Sequence, residues 1–395
     1  MKAIICAAGF GSRLSMNIPK AMVMVNGRRL IDYQIEALSK FDRIYVVVGF
    51  RKELIIDHLK NKDNVEIIIN DKPEIGLRHT MEIISERFNE IVFLCDGDII
   101  FNEVITPEKY EYVGVKNVIT QKPIFVEAKD GKATDFTDKS TAYEWACVYQ
   151  CNPAKVNWSN EYAYECLKAI LPLRLKHFDL FEIDTKEDLR QSYNWIKKNK
   201  IKKFWDKRSK TPNLLWRNMI DVKLNSIKPY LKKDMQILDI GCGDCKLTNA
   251  IAKYVKSITA IDYIDRPIEI DNKITYIKED ITKIDIAGTY DLIIIIGVSI
   301  FLTDSEAKNL YSKCHKLMKQ DGILLIQHQC GTQRDIVVES EIDDLEYNAT
   351  YRYYEKEIDI LRSAGFTVKA YDPYPDTENK WVNTAFKAFE CKILS

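Results

Sequence analysis

The sequence predicts an α/β protein of two doubly wound domains in tandem, and three observations carry that prediction. The 395 residues exceed what one hydrophobic core usually supports. Apolar strand-like runs alternate with helical patterns twice, once early and once late in the chain. Each series holds a strand that runs into a Gly-x-Gly turn, "CAAGFGSR" at Cys6–Arg13 and "ILDIGCGD" at Ile237–Asp244.

The first series reads "KAIICAA", "RLIDYQIEALSKF", "RIYVVVGF", "ELIIDHLKN" and "VEIIIN", which is the order of βαβ units on a parallel sheet. After "IVFLCDGDIIF" the pattern loosens. Shorter β-like pieces between Glu111 and Gln150 ("YVGVKNVITQ", "PIFVEA", "EWACVYQ") predict a small antiparallel insert or edge. Helical patterns follow from Glu161 and from Lys186 to about Asn199. The second series reads "QILDIG", "SITAIDY", "ITYIKEDI", "YDLIIIIG", "GILLIQH", "TVKAYD" and "AFKAFEC". The run Leu292–Leu302 is too short to cross a bilayer and suits a strand covered on both faces, with Gly297 marking its end. The expected boundaries are 1–198 for the first domain, 199–235 for a basic linker with the first helices of the second, and 236–395 for the second domain.

Composition narrows the function classes. Lys plus Arg and Asp plus Glu both number 58, so no global charge imbalance suggests a nucleic-acid or membrane-surface partner. Nine Lys or Arg fall between Lys197 and Arg217 against the single acid Asp206. That run reads either as a nucleic-acid patch or as a solvated interdomain helix whose aromatics dock on the next domain, and its shortness favours the helix. Ten scattered cysteines fit a reduced, cytoplasmic protein. The opening apolar run breaks at Gly9 and Arg13, which reads as a first strand rather than a signal peptide. Oligomeric state is open.

The first glycine turn has a chemical reading. The strand ends in Gly9-Phe10-Gly11-Ser12, whose glycines let backbone N–H groups approach a polyphosphate without Cβ obstruction; Ala7, Ala8, Gly9, Gly11 and Ser12 are the candidate phosphate contacts, and Arg13 and Lys20 add two positive charges. "AAGFGSRL", "PKAM" and "NGRRLIDYQIEAL", followed in order by "VVVGF", "NDK", "LCDGDIIF" and "LFEIDTKEDLRQ", resemble the nucleotidyltransferase family, most closely cytidylyltransferases of the phosphocholine type. The short step from Arg13 to Pro19 is more like the methylerythritol cytidylyltransferase. The resemblance covers Met1 to about Lys198. It implies a nucleoside triphosphate, CTP first, a phosphorylated or phosphonate small-molecule acceptor, and Mg²⁺ on Asp98 and Asp184 with Asp96 nearby. It also places Arg78 and Thr80, in "GLRHT", against base and ribose; their plain alternatives are a solvated charge and a helix cap. Tyr143, Trp145, Tyr149, Trp158, Tyr162 and Tyr164 read either as core or as a cage for an amine.

In the second glycine turn, Asp239 precedes Gly241 and Gly243, and Asp262 ends the next strand nineteen residues past Gly243. An acid there is placed to bond the ribose hydroxyls of a nucleoside. The stretch from about Phe204 to Ser395 resembles class I S-adenosylmethionine-dependent methyltransferases, giving two Rossmann-like domains in all. The resemblance implies adenine contact at Asp280 and Ile281, the methyl group facing the end of the strand at Gly297, and S-adenosylmethionine as cofactor. Cys242 and Cys245 form a C-x-x-C without a matching pair, and His315 and His328 are unsupported as metal ligands. His328 reads as a structural histidine or as a base near the acceptor. "YNATYRYY" reads as packing or as an acceptor wall.

Together these readings predict a bifunctional enzyme that activates a phosphorylated or phosphonate compound as its CDP derivative and methylates a compound of the same pathway, with cell-surface or capsule decoration as its setting. The alternatives are a sugar-1-phosphate nucleotidyltransferase joined to a sugar methyltransferase, and a chain in which one domain is silent and serves as a binding module.

Overall fold

The computed structural model describes residues 1–14, 16–117, 123–210, 219–265, 269–342, 345–375 and 382–394. The chain divides into two compact units, Met1–Ile196 and Lys197–Ser395.

In the first unit, β1 (Lys2–Ala7) lies parallel between β4 (Arg43–Val48) and β6 (Val92–Asp96), and β5 (Val65–Ile69) extends the parallel side beyond β4. Two-residue strands β2 (Met24–Val25) and β3 (Arg28–Arg29) form a hairpin over Asn26-Gly27, both with positive φ, the turn an Asn-Gly pair selects. Helices α1 (Leu30–Ala37), α2 (Lys52–Leu59) and α3 (Leu77–Arg87) supply the crossovers. The antiparallel strands expected after β6 as an insert or edge enter the main sheet, some in its interior and some at its edge. There β11 (Glu144–Cys151) runs antiparallel to both β6 and β8 (Tyr112–Lys116), and β12 (Leu173–His177) continues parallel to β8. The sheet ends on β10 (Lys132–Thr137) and β9 (Phe125–Lys129). The reason is burial. Every residue of β8, and all but one of β11, is buried, so both strands need cover on two faces. The end of "YVGVKNVITQ", 118–121, lies outside the described residues. A separate antiparallel pair, β7 (Ile99–Phe101) with β13 (Leu180–Glu182), stands beside the main sheet. Residues Ala163–Leu167 form α4, and α5 (Lys186–Lys210) follows.

The second unit holds a seven-stranded sheet in the order β16 (Ile274–Lys278), β15 (Ser257–Asp262), β14 (Gln236–Ile240), β17 (Tyr290–Ile296), β18 (Met318–Gly331), β22 (Thr384–Ile393), β21 (Phe366–Tyr371). The first five are mutually parallel and β22 is antiparallel to both its neighbours. Between α6 (Ile220–Ile227) and α7 (Lys246–Ala252) comes β14; α8 (Asp304–Leu317), opened by a Thr303–Glu306 capping box, and α9 (Tyr354–Ser363) complete the layers. A hairpin of β19 (Ile336–Ile342) and β20 (Leu345–Tyr351) stands apart from the sheet. Phe204 and Trp205, late in α5, pack with Phe301, Tyr347 and Tyr351 of this unit. The end of the basic run, 211–217, lies outside the described residues. No described helix is long and apolar enough to cross a membrane.

Candidate active sites

In the first unit the glycine loop leaves β1 at the carboxyl edge of the parallel strands, where such sheets hold their ligands. Ala7 and Ala8 are wedged between two further glycines. A Cβ on Gly97 would lie 2.9 Å from the carbonyl oxygen of Cys6, and one on Gly49 would lie 2.8 Å from that of Ala8. A Cβ on Gly9 would meet nothing within 4 Å, so the backbone there is open to a ligand. Gly11 has φ +62°, and a Cβ on it would press Lys20 Cγ at 2.9 Å. A 3₁₀ turn, Ser12–Leu14, follows the loop, so no α-helix N-terminus stands there.

The β7–β13 pair opposes Ile99 to Glu182 and thereby brings Asp98 to Asp184. Lys20 Nζ donates to Asp98 Oδ2 at 2.8 Å and also bonds Asp184, while Arg13 Nη1 donates to Asp184 Oδ2 at 2.8 Å. All four residues expected to carry the chemistry thus meet. Burial pulls the Lys20 ammonium down, but Asp98 and Asp184 outweigh it and hold the pKa above the ordinary lysine range. Carboxylate oxygens of Asp98, Glu182 and Asp184 all lie within 4.8 Å of one another. Asp98 Oδ1 is buried and has no hydrogen-bond partner among the described residues.

Glu182 was not singled out from sequence, though the period of two in "EID" puts it on the same face as Asp184. Burial and Asp98 push its carboxyl up, against the opposing pull of Lys116, whose Nζ lies 3.0 Å from Glu182 and 3.2 Å from Glu144. Asp96 ends β6 and stands outside the three-carboxylate group; burial, then Asp98 and Glu182, hold its carboxyl well above the usual range. Arg78 points outward and pairs with Glu82 at 3.3 Å. Thr80 is buried on α3, whose N-cap is Gly76, and its hydroxyl accepts from Asn70 Nδ2 at 2.9 Å. Trp145, Tyr149 and Trp158 are core residues of one cluster, with Tyr143 and Tyr164 packed against it, and Tyr162 stacks on Tyr164 at 5.5 Å.

In the second unit the glycine turn follows β14 at the same edge of its sheet. Gly241 has φ +76°, and a Cβ on it would lie 2.2 Å from Val298 Cγ2; Gly243 has φ +55° with open space around it. The N–H groups of Gly241 and Cys242 donate to the carbonyl of Ile261, and Gly243 N–H donates to Asp262 Oδ2 at 2.8 Å. Asp262 therefore pins the turn, and burial holds its carboxyl above the usual range. Asp239 is buried and accepts from Thr248 Oγ1 at 2.6 Å, with burial pushing it up to about 7. Asp280 accepts from Thr282 N and Oγ1, shaping the turn after β16, and Ile281 packs on the core. Gly297 ends β17 with φ +71° and open space, its N–H bound to the Gln327 carbonyl. Cys242 and Cys245 lie 3.6 Å apart, Sγ to Sγ, within the turn. His328 is fully buried; neither ring nitrogen has a hydrogen-bond partner among the described residues, and burial lowers it to about 4.

Residues 3–114 match the model of the MobA-like NTP transferase domain, and residues 237–322 match that of a methyltransferase domain. The choline-phosphate cytidylyltransferase of Streptococcus pneumoniae is 49% identical over 77 residues, 18% of this chain and 33% of that protein. The bifunctional protein GlmU of Methanococcus vannielii is 28% identical over 182 residues, 44% of each chain. The chain thus spans less than half the length of the curated relatives it matches. The solved CTP:phosphocholine cytidylyltransferase (LicC) from Streptococcus pneumoniae aligns with 49% of this chain and 98% of its own, at 25% identity and a TM-score of 0.45. Two enzyme modules, an NTP transferase domain and a methyltransferase domain, stand in tandem on this one chain.

Proposed function

We propose that the first unit transfers a cytidylyl group from CTP to a phosphorylated or phosphonate small molecule, releasing pyrophosphate, and that the second methylates a compound of the same pathway from S-adenosylmethionine. The observation that carries the reading is the meeting of Arg13, Lys20, Asp98 and Asp184, drawn from three distant stretches of the chain, beside a glycine loop with open backbone. The choline-phosphate cytidylyltransferase likeness favours CTP and an amino-alcohol phosphate or phosphonate as acceptor.

Joining the acceptor's oxygen to the α-phosphorus brings two anions together. Arg13 and Lys20 oppose that repulsion with fixed charge, and the loop N–H groups from Ala8 to Gly11 orient the phosphates. The acceptor oxygen is already ionised, so no general base is required. The donor set fits a hard cation: three carboxylates converge and Asp98 keeps one buried oxygen unpartnered. Asp98 and Asp184 would hold Mg²⁺, with Glu182 beside them, and the ion supplies charge neutralisation for the triphosphate when bound.

In the second unit, Asp262 and the turn at Gly241–Gly243 would hold the cofactor's ribose, and Asp280 and Ile281 its adenine. The open backbone at Gly297 leaves room where donor and acceptor align. S-adenosylmethionine supplies a sulfonium methyl when bound. A cytoplasmic enzyme preparing a CDP-linked precursor for cell-surface or capsule decoration follows from this reading.

The test is pyrophosphate release with each of the four NTPs plus Mg²⁺ against phosphocholine, phosphoethanolamine, aminoethylphosphonate and sugar 1-phosphates, repeated with Asp98→Asn. Turnover with CTP and an amino-alcohol phosphate or phosphonate, lost in the variant, is the expected result. Turnover with a sugar 1-phosphate alone would sink the acceptor assignment.

A further inference from the structure

The most deeply buried charges of the second unit form one cluster behind the loop that follows β17. Arg352 is 1% exposed and Glu357 has no exposed surface. The guanidinium donates from Nε to Asp304 Oδ1 at 2.7 Å, from Nη1 to Glu357 Oε2 at 2.8 Å, and from Nη2 to the carbonyl of Leu302. Tyr311, also fully buried, bonds Glu357 and lies 2.8 Å from Ser299 Oγ. With one hydroxyl proton, Tyr311 donates to the carboxylate and takes the serine proton. His328 Nε2 stands 3.9 Å from the same carboxylate.

Two of these bonds end on the loop itself, at Ser299 and Leu302. The residue that begins this loop after Gly297 is Val298, whose Cγ2 occupies the space a Cβ on Gly241 would take. A chain of contacts therefore runs from Arg352, Glu357 and Tyr311 through residues 298–302 to the glycine turn after β14. Stability alone does not account for it. Removing a guanidinium and a carboxylate from water costs about as much as their attraction returns, and an apolar group of similar volume holds a core as well. What the bonded network adds is direction, because Leu302 and Ser299 have one place where their bonds are made.

We propose that Arg352, Glu357 and Tyr311 are positioning residues of the methyl-donor site, holding residues 298–302 where Val298 closes on the glycine turn. The proposal rests on the reading of that turn as the S-adenosylmethionine site. None of the three touches the donor; they act through the loop.

The test is calorimetric titration of the full chain with S-adenosylhomocysteine, paired with thermal melting. In the double variant Arg352→Met/Glu357→Leu the Tm of the second unit stays within a few degrees of the original while Kd rises at least tenfold. Tyr311→Phe removes a single hydroxyl and raises Kd at least threefold at unchanged Tm. A folded double variant with unchanged Kd overturns the proposal. If the double variant does not fold, Tyr311→Phe decides alone, and an unchanged Kd there overturns it equally. An original protein that does not bind S-adenosylhomocysteine overturns the donor-site reading and the proposal with it, whereas tight binding with indifferent variants overturns the proposal only.

Discussion

Asp98 is bound on one oxygen by Lys20, and its other oxygen is buried with no hydrogen-bond partner among the described residues. A carboxylate so placed contributes charge rather than packing. Asp98→Asn keeps the shape and removes the charge, so pyrophosphate release is expected to fall by about 10²- to 10³-fold, with the melting temperature near that of the original protein. Circular dichroism alongside the assay separates the two effects; a parallel loss of fold would show that Asp98 is structural. In the second unit, two buried groups titrate in opposing directions. His328 is lowered from 6.5 to about 4, so the unfolded chain binds the extra proton in that window and stability is lost as pH falls through it. Asp239 is raised from 3.8 to about 7, so the folded chain holds the extra proton there and stability is lost as pH rises. Each group contributes a slope of up to about 1.4 kcal/mol per pH unit. His328→Leu is expected to make stability fall more steeply between pH 4.5 and 6.5, and Asp239→Asn to tilt it the other way. Urea titrations across that range would show equal slopes in both variants if the two groups did not differ from the unfolded chain.

At the level of elements, the two glycines of the second turn are not equivalent. Gly241 needs both its positive φ and the space that Val298 fills, whereas Gly243 needs only the φ. Gly241→Ala is expected to cost more than about 2 kcal/mol, and Gly243→Ala about 1 kcal/mol. Val298→Ala should recover part of the first loss and none of the second, which a double-variant cycle in urea reads directly. Equal costs would mean that the loop after β17 does not bear on the turn. The turn itself was legible in sequence, because a glycine pair after an apolar run is a local signal. Its partner Val298 was not, since nothing in "GVSIF" marks which residue will meet Gly241. The same contrast holds for β8 and β11. Their apolar character was visible, but an edge and an interior position differ in what covers the second face, and short runs do not record that.

For the whole molecule, the sequence placed the core of the second domain at 236–395, with 199–235 as a basic linker and that domain's first helices. Phe204, Trp205, Leu224 and Ile227 all pack into the cores of the unit that begins at Lys197. Each buried apolar side chain of this kind is worth roughly 1.5–3 kcal/mol. A fragment 197–395 is expected to melt in one cooperative transition, and a fragment 236–395 to show none. A cooperative melt of the shorter fragment would mean that those side chains are dispensable. By itself the sequence determined the two alternating series, the glycine turns and the acids that end their strands, because strand period, turn chemistry and helix caps act over a few residues. Only the tertiary structure decided that Lys20 would meet Asp98 and Asp184, 78 and 164 residues away, and that Glu182 would join them. Those meetings depend on β7 pairing with β13, and strand pairing over such separations is chosen by burial summed over the whole sheet, not by the residues that meet.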